Sequence, residues 1–294
     1  MKFIFPLLFL PLVIFSQDPD KVEIIPIKVT EEVYMMKGAG GNMGLLVGEE
    51  GILLIDDQFA PLSEKIMAAI RKIDPGPLKY LINTHWHGDH TGGNENFKKA
   101  GATILAHKNV HKRLSEDQFM QAFGRQVEAK PKSYHPNITF STEMNLYFND
   151  EAILIFHSHV GHTDGDALIY FPKNNVIHMG DTYFQGKFPF VDLSSGGSVK
   201  SLIKSINQSL ILIDDATQII PGHGNLSNRA ELLSYRDMVD DMYHRVKQSI
   251  SSGLSLEEVQ AANLSKEYED DWGGGFISGE KFVKTIYDEL SRKE

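Results

Sequence analysis

Six consecutive residues, His85-Trp86-His87-Gly88-Asp89-His90, carry four side chains able to ligate a metal ion. Imidazole and carboxylate together suit a borderline divalent cation such as zinc. The segment follows Leu78-Lys79-Tyr80-Leu81-Ile82-Asn83, an apolar run that reads as a buried strand. In extended backbone, residues two apart point the same way, so His85 and His87 can reach one ion from one side. Gly88 lets the chain turn, which aims Asp89 and His90 at a second ion nearby. His and Asp are costly to bury without partners, so packing explains the cluster poorly.

Three later segments add candidates of the same kind. Gly161-His162-Thr163-Asp164-Gly165-Asp166 lies between two predicted strands. Met179-Gly180-Asp181-Thr182 and Pro221-Gly222-His223-Gly224 each follow a strand directly. Each sets a His or an Asp beside glycine at a strand end, where loops carry chemistry. The chain has no cysteine, so thiolate ligands, thiol nucleophiles and disulfides are excluded.

The ordered set, HxHxDH followed by separate His, Asp and His, resembles the metallo-β-lactamase superfamily over roughly residues 33–224. The resemblance implies an α/β fold, a four-layer αβ/βα sandwich with the metal site at one edge between two sheets. It implies that His85, His87 and His162 bind a first metal. Asp89, His90 and His223 would bind a second, and Asp181 would bridge both. Asp56, at the end of its strand, resembles the family's acidic residue behind the histidines, and Asp166 is a second candidate of that type. Such carboxylates fix the tautomer and orientation of a ligating imidazole. The implied cofactor is two zinc ions, with iron or manganese open because His and Asp suit all three.

The implied chemistry is hydrolysis of an acyl bond in a small-molecule substrate: a β-lactam, lactone, ester or thioester. Asp89 is the candidate catalytic residue, orienting the attacking water and passing a proton to the leaving group. Having both His90 and Asp181 resembles glyoxalase II and lactonases more than a dedicated antibiotic-resistance enzyme. The acidic run Glu267-Tyr268-Glu269-Asp270-Asp271 argues against a glutathione thioester. The alternatives are an iron-dependent redox enzyme of the same fold, a phosphodiesterase, and a non-catalytic exported zinc-binding protein.

Other residues near the motifs have plainer readings. His157, His159 and His178 match no ligand position and read as structural strand or hairpin residues. His107, His111, His135 and His244 read as surface residues. Trp86, between two ligands, reads as packing. Tyr183, Phe184, Phe188 and Phe190 follow Asp181 and are candidates for the site mouth, with packing as the alternative. The loops 39–41, 107–133 and 184–197 are expected to set the substrate.

The elements that must hold these residues alternate between strand and helix. Strand-like segments run from Val22 to about Asp56, with a turn at Gly38 to Gly41. Helical spacing covers Leu62 to Ile73 and Val199 to Ile213, and the stretch from His107 to Ser133 reads as helix followed by loop. Ile138 to Val160 reads as a meander, Ala167–Phe171 with Val176–Met179 as a hairpin, and Gln218–Ile220 as a strand. Everything after Asn228 reads as helix. The division expected is a signal peptide over residues 1–16, a metallo-β-lactamase-like domain over 17–227, and a helical extension over 228–294 packed on that domain.

The chain has 294 residues, 41% of them hydrophobic, enough for a large core. A net charge of −10 and no block of Lys or Arg give no basis for nucleic-acid binding. Met1-Lys2, then an apolar stretch to Phe15 and the polar run Ser16-Gln17-Asp18, fit a cleaved secretory signal. Export to the periplasm or outside the cell is the expectation, with no membrane span once the signal is removed. Nothing in the sequence sets an oligomeric state.

Overall fold

In the computed structural model, which describes residues 18–292, two mixed sheets face each other. The expected signal segment lies outside the described residues. The first sheet takes β1 (Ile25–Lys28), β2 (Val33–Lys37), β3 (Met43–Gly48), β4 (Gly51–Ile55), β5 (Leu78–Asn83) and β6 (Thr103–His107) in that spatial order. A small hairpin, β7 (Gln118–Met120) and β8 (Arg125–Val127), pairs only with itself, and β9 (Ile138–Phe140) then closes the sheet beside β6. The second sheet runs β10 (Glu143–Phe148), β11 (Glu151–His157), β12 (Ala167–Phe171), β13 (Val176–His178), β14 (Gln218–Ile220) and β15 (Ser227–Asn228). Strands β4, β5, β6 and β9 are parallel neighbours, as are β13 and β14, and the other pairs are antiparallel.

Parallel strands need crossovers, and the helices supply them. On the outer face of the first sheet lie α1 (Ser63–Ile73), the short α2 (Gly88–Thr91) that carries Asp89 and His90, and α3 (Asn94–Lys99); α4 (Lys108–Ser115) follows β6. Outside the second sheet lie α5 (Val199–Leu212), α6 (Arg229–Ser251), α7 (Leu256–Ala261), α8 (Glu269–Trp272) and α9 (Gly279–Ser291). The layers are therefore helix, sheet, sheet, helix: the four-layer αβ/βα sandwich.

The period of two within each strand decides which layer a residue faces. In β4, Leu53 and Ile55 point between the sheets, where they join Ile155, Ile169 and Ile220. Ile52 and Leu54 point the other way, onto Ile66 and Ile70 of α1. Both faces are buried, which is why β4 is an unbroken apolar run. Truncating Ile55 to Ala would cost about 2–5 kcal/mol, because the two sheets cannot collapse onto the void. In α6, Leu232, Tyr235, Val239, Met242 and Val246 recur at helical spacing and pack with Leu202 and Ile206 of α5 and Phe282 and Ile286 of α9. Asn228 caps α6, its side chain accepting from the Glu231 N–H at 3.0 Å.

Two expectations differ from the structure. The stretch 107–133 holds α4 and then the β7–β8 hairpin rather than helix and loop. The expected meander 138–160 is divided, because β9 pairs in parallel with β6 while β10 and β11 open the second sheet. Partner choice there is a tertiary matter that strand pattern alone does not encode.

Candidate metal centre

The candidate metal-ligating residues sit past the carboxyl ends of the central strands. His85 follows β5, Asp181 follows β13, and His223 follows β14. This is where an open α/β sheet leaves side chains free for chemistry. The register is pinned by Asp56, just after β4. Its backbone turns into the left-handed region at φ 58°, which an Asp tolerates. The turn brings its carboxylate to Thr84, whose N–H and hydroxyl donate to it at 2.8 and 2.7 Å. The same carboxylate meets His90 Nδ1 at 2.7 Å. Gly41 and Gly222 are required by contact: a Cβ on Gly41 would overlap the His90 ring, and one on Gly222 would overlap the Asp181 carboxylate.

Two clusters result. His85, His87, His162 and Asp181 form one, and Asp89, His90 and His223 form the other, with the candidate ligand atoms of each within 4.8 Å of one another. In the first, His87 Nδ1 lies 3.1 Å from His85 Nε2 and 2.8 Å from His162 Nε2. In the second, Asp89 Oδ2 lies 3.3 Å from His223 Nε2 and 3.6 Å from His90 Nε2. Asp181 stands between them. Its Oδ2 is 3.5 Å from both His162 Nε2 and His223 Nε2, and its Oδ1 is 3.2 Å from His90 Nε2.

The outer ring nitrogens of the three-histidine cluster all have partners. His85 Nδ1 meets the Thr84 hydroxyl at 3.0 Å, His162 Nδ1 meets the Phe190 carbonyl at 2.7 Å, and His87 Nε2 meets Asp192 at 3.0 Å. Each oxygen accepts the ring N–H and so turns the other nitrogen's lone pair inward. Two inward atoms, His90 Nε2 and Asp181 Oδ1, are buried and make no hydrogen bond. Buried polar atoms without partners are rare in folded proteins, and a divalent cation would satisfy both. The donor set therefore fits a metal pair.

The electrostatics divide along the same line. Burial holds His85 well below the ordinary histidine pKa and lowers His162 to about 4, so both are neutral lone-pair donors. Burial also works against charge on His223, yet the facing Asp181 and Asp89 carboxylates raise it to about 9. His90 is raised well above its usual value in the same way, its burial outweighed by Asp181, Asp89 and Asp56. Burial pushes Asp181 upward, but His223 and His90 prevail and hold it well below the carboxylate range.

Three expectations need correction. Asp166 does not back a ring: it accepts the N–H groups of His162 and Thr163 at 2.6 and 2.9 Å and the Thr163 hydroxyl at 2.6 Å, which shapes the loop. Burial raises its pKa to about 7. His107 is buried, not superficial; it stacks on His157 at 4.2 Å and pairs with the Ser141 carbonyl. His159 lies at φ 56° in the exposed connection between the antiparallel strands β11 and β12, a hairpin position of the kind expected. Tyr183 and Phe188 belong to the core behind α5 and α6. Phe190 does line the site, and Phe184 stacks on His223 at 5.3 Å.

The sequence reading missed Asp192. It is buried, and besides His87 it accepts the Ser195 hydroxyl at 2.6 Å, which in turn accepts from the Trp86 indole at 3.1 Å. That chain ties Trp86 to the scaffold behind His87. The only sequence signal was an Asp before Leu193-Ser194-Ser195-Gly196, a capping pattern that reads as an ordinary turn.

Above both clusters opens a cleft of about 450 Å³. Its floor includes His87, Asp89, Asp181 and His223, and its walls come from Phe59, Trp86, Phe190, the β7–β8 hairpin and Phe276. The expected loop 39–41 contributes nothing to the lining; it packs beneath Asp89 and His90 instead. Among the described residues, no helix is long and apolar enough to cross a membrane.

The model of the metallo-β-lactamase superfamily matches residues 36–240. A probable metallo-hydrolase of Bacillus subtilis, YqgX, is 30% identical over 199 residues, covering 64% of this chain and 90% of its own. Among solved structures, a metallo-β-lactamase from Pontibacter korlensis aligns with a TM-score of 0.61 and 19% identity, over 74% of this chain and all of its own. A double mutant of the sec-alkyl sulfatase PisA1 aligns with a TM-score of 0.71 and 17% identity, over 92% of this chain and half of its own. Likenesses at this identity are likenesses of fold.

Proposed function

This chain belongs to the metallo-β-lactamase superfamily, and from that premise we propose that it is an exported dinuclear zinc hydrolase cleaving an acyl bond in a small molecule. The observation that carries the reading is the pair of clusters sharing Asp181 under an open cleft. A purely structural zinc site is closed by protein ligands, whereas Asp89 and His223 keep 28% and 20% of their side chains exposed.

His85, His87 and His162 would hold one cation, Asp89, His90 and His223 the other, and Asp181 both. When bound, such cations lower the pKa of water toward 7 and polarise a carbonyl. Asp89 supplies the proton chemistry. Burial favours its neutral form, but His90 and His223 hold its carboxyl well below the usual range, so it stands ionised. Its Oδ2 faces His223, and its partly exposed side lines the cleft, so the carboxylate can orient an attacking water there and pass its proton on toward a leaving group. Phe190 and Trp86 wall off bulk water on the side of His87.

The two solved neighbours carry names of different reactions, a β-lactamase and an alkyl sulfatase. The shared fold therefore does not choose the bond, and sites must be read individually. Acyl cleavage is favoured here by the apolar cleft walls that Phe59, Trp86, Phe190 and Phe276 provide. The test is a hydrolysis panel on the zinc-loaded protein, with and without chelator: a β-lactam, a lactone, a thioester, an alkyl sulfate and a phosphodiester. Chelator-sensitive turnover of an acyl substrate supports the reading. Turnover of the sulfate or phosphodiester alone, or of none with both clusters loaded, contradicts it.

A further inference from the structure

Three phenylalanines remote in sequence meet at the mouth of the cleft. Phe123 stands at the turn of the β7–β8 hairpin, Phe190 follows the Asp181 segment, and Phe276 lies between α8 and α9. Their ring centroids are 5.3 Å apart for Phe123 and Phe190, 5.8 Å for Phe190 and Phe276, and 6.4 Å for Phe123 and Phe276. Phe123 is 46% exposed and Phe276 53%, whereas Phe190 is buried beneath them. Large aromatics left exposed together, rather than scattered singly, mark a binding surface.

Phe190 joins this patch to the metal centre. Its ring stacks against His87 at 5.8 Å and meets the edge of His162 at 5.5 Å. A group resting on the triangle therefore lies one ring thickness from the three-histidine cluster, on the same cleft whose floor holds Asp89 and His223. Of the charged residues around the cleft, Arg113 is tied to Asp164 through Nε and Nη2 at 2.7 and 2.9 Å, while Arg125, Glu128 and Lys130 line its outer part. A cleft of this volume accommodates a small molecule rather than a protein element.

We infer that this site selects substrates whose acyl group ends in a phenyl-sized apolar group, seated among Phe123, Phe190 and Phe276. The inference rests on the hydrolase reading for its chemistry but not for its contacts. Two of the three residues come from outside the two large sheets, Phe123 from the β7–β8 hairpin and Phe276 from the segment between α8 and α9. Edge-to-face contact with two or three rings adds to the area a phenyl group buries.

The test compares the acetyl and phenylacetyl thioesters of one small thiol on the zinc-loaded protein, and separately the binding of butyrate and 4-phenylbutyrate by calorimetry. Phe276→Ala and Phe123→Ala are the variants, both at half-exposed positions. Phe123→Leu controls for loss of the hairpin's shape. The expected kcat/KM is about tenfold or more higher for phenylacetyl than for acetyl. Each alanine variant should bring that ratio down several-fold, losing more on the phenylacetyl than on the acetyl thioester, and Phe123→Leu should retain most of it. Affinity should follow the same order. Equal rates for the two thioesters with equal binding of the two acids would overturn the inference and leave the hydrolase reading standing. If neither thioester turns over, yet 4-phenylbutyrate binds more tightly and Phe276→Ala removes the difference, the subsite stands and the hydrolase reading falls.

Discussion

His85 and His162 are buried and held neutral by burial, whereas Asp89 and His223, a few ångströms away, reach the cleft as a charged pair. The three-histidine cluster is braced at every outer nitrogen, by Thr84, Asp192 and the Phe190 carbonyl. The second cluster has that bracing only at His90, through Asp56. On the proposed reading, the first would hold an ion in one geometry, and the second would handle protons and admit substrate. Asp181 stands between both, its Oδ2 3.5 Å from His162 Nε2 and from His223 Nε2.

The strongest way to break this division is to remove what the clusters share. Asp181→Ala should lower bound metal in both and reduce turnover by about 10³-fold or more, since it removes a ligand from each ion. Metal analysis beside initial rates checks this; a variant with full metal and normal rate would erase the bridging role. Asp89→Ala comes next. It should cost about 10²- to 10⁴-fold in kcat, the usual reach of a general acid–base group. The three-histidine cluster should keep its metal, and unequal loss of the two ions in the same metal analysis is the decisive reading.

Asp192→Asn sharpens the comparison from the other side. It leaves the shape and removes the charge behind His87, so metal affinity should fall about 10- to 100-fold. That loss should fall on the three-histidine cluster, read by competition with a chromophoric chelator. The smallest effect is a control. His107 and His157 stack as closely as ligands do, but His107 Nε2 and His157 Nδ1 are taken by the carbonyls of Ser141 and Asp166. His107→Gln should leave metal content unchanged. Burial lowers the His107 pKa to about 4, below that of an unfolded histidine. The unfolded chain therefore takes up that proton first as pH falls from about 6.5 to about 4, and stability drops across that window. Urea unfolding at stepped pH should show a shallower acid slope in the variant.

The pairing of His85 with His87 was legible in the sequence because residues two apart share a side of extended backbone, whereas His162, Asp181 and His223 joined the candidate set only through the resemblance to the family's ordered motif. Asp56 was legible as the residue where an apolar strand stops. Asp192 was not, because its role is set by a fold-back that brings residue 192 to residue 87. The β7–β8 hairpin was not, because three-residue strands joined through Gly124 carry no period to detect. The burial of His107 was hidden by its charged neighbours Lys108 and Lys112, which are exposed on α4 while His107 caps the helix from within. Phe276, among small and polar residues, gave no sign that it would arch over a site built from residues almost 200 positions earlier.

The most direct test of the account is stepwise zinc titration of the metal-free protein, with acyl hydrolysis measured at each addition. The account predicts two binding steps per chain, activity that appears with loading and vanishes with chelator, and the loss of both steps' separation in Asp181→Ala. Turnover that persists after complete chelation, or a single step with Asp89 and His223 uninvolved, would contradict it.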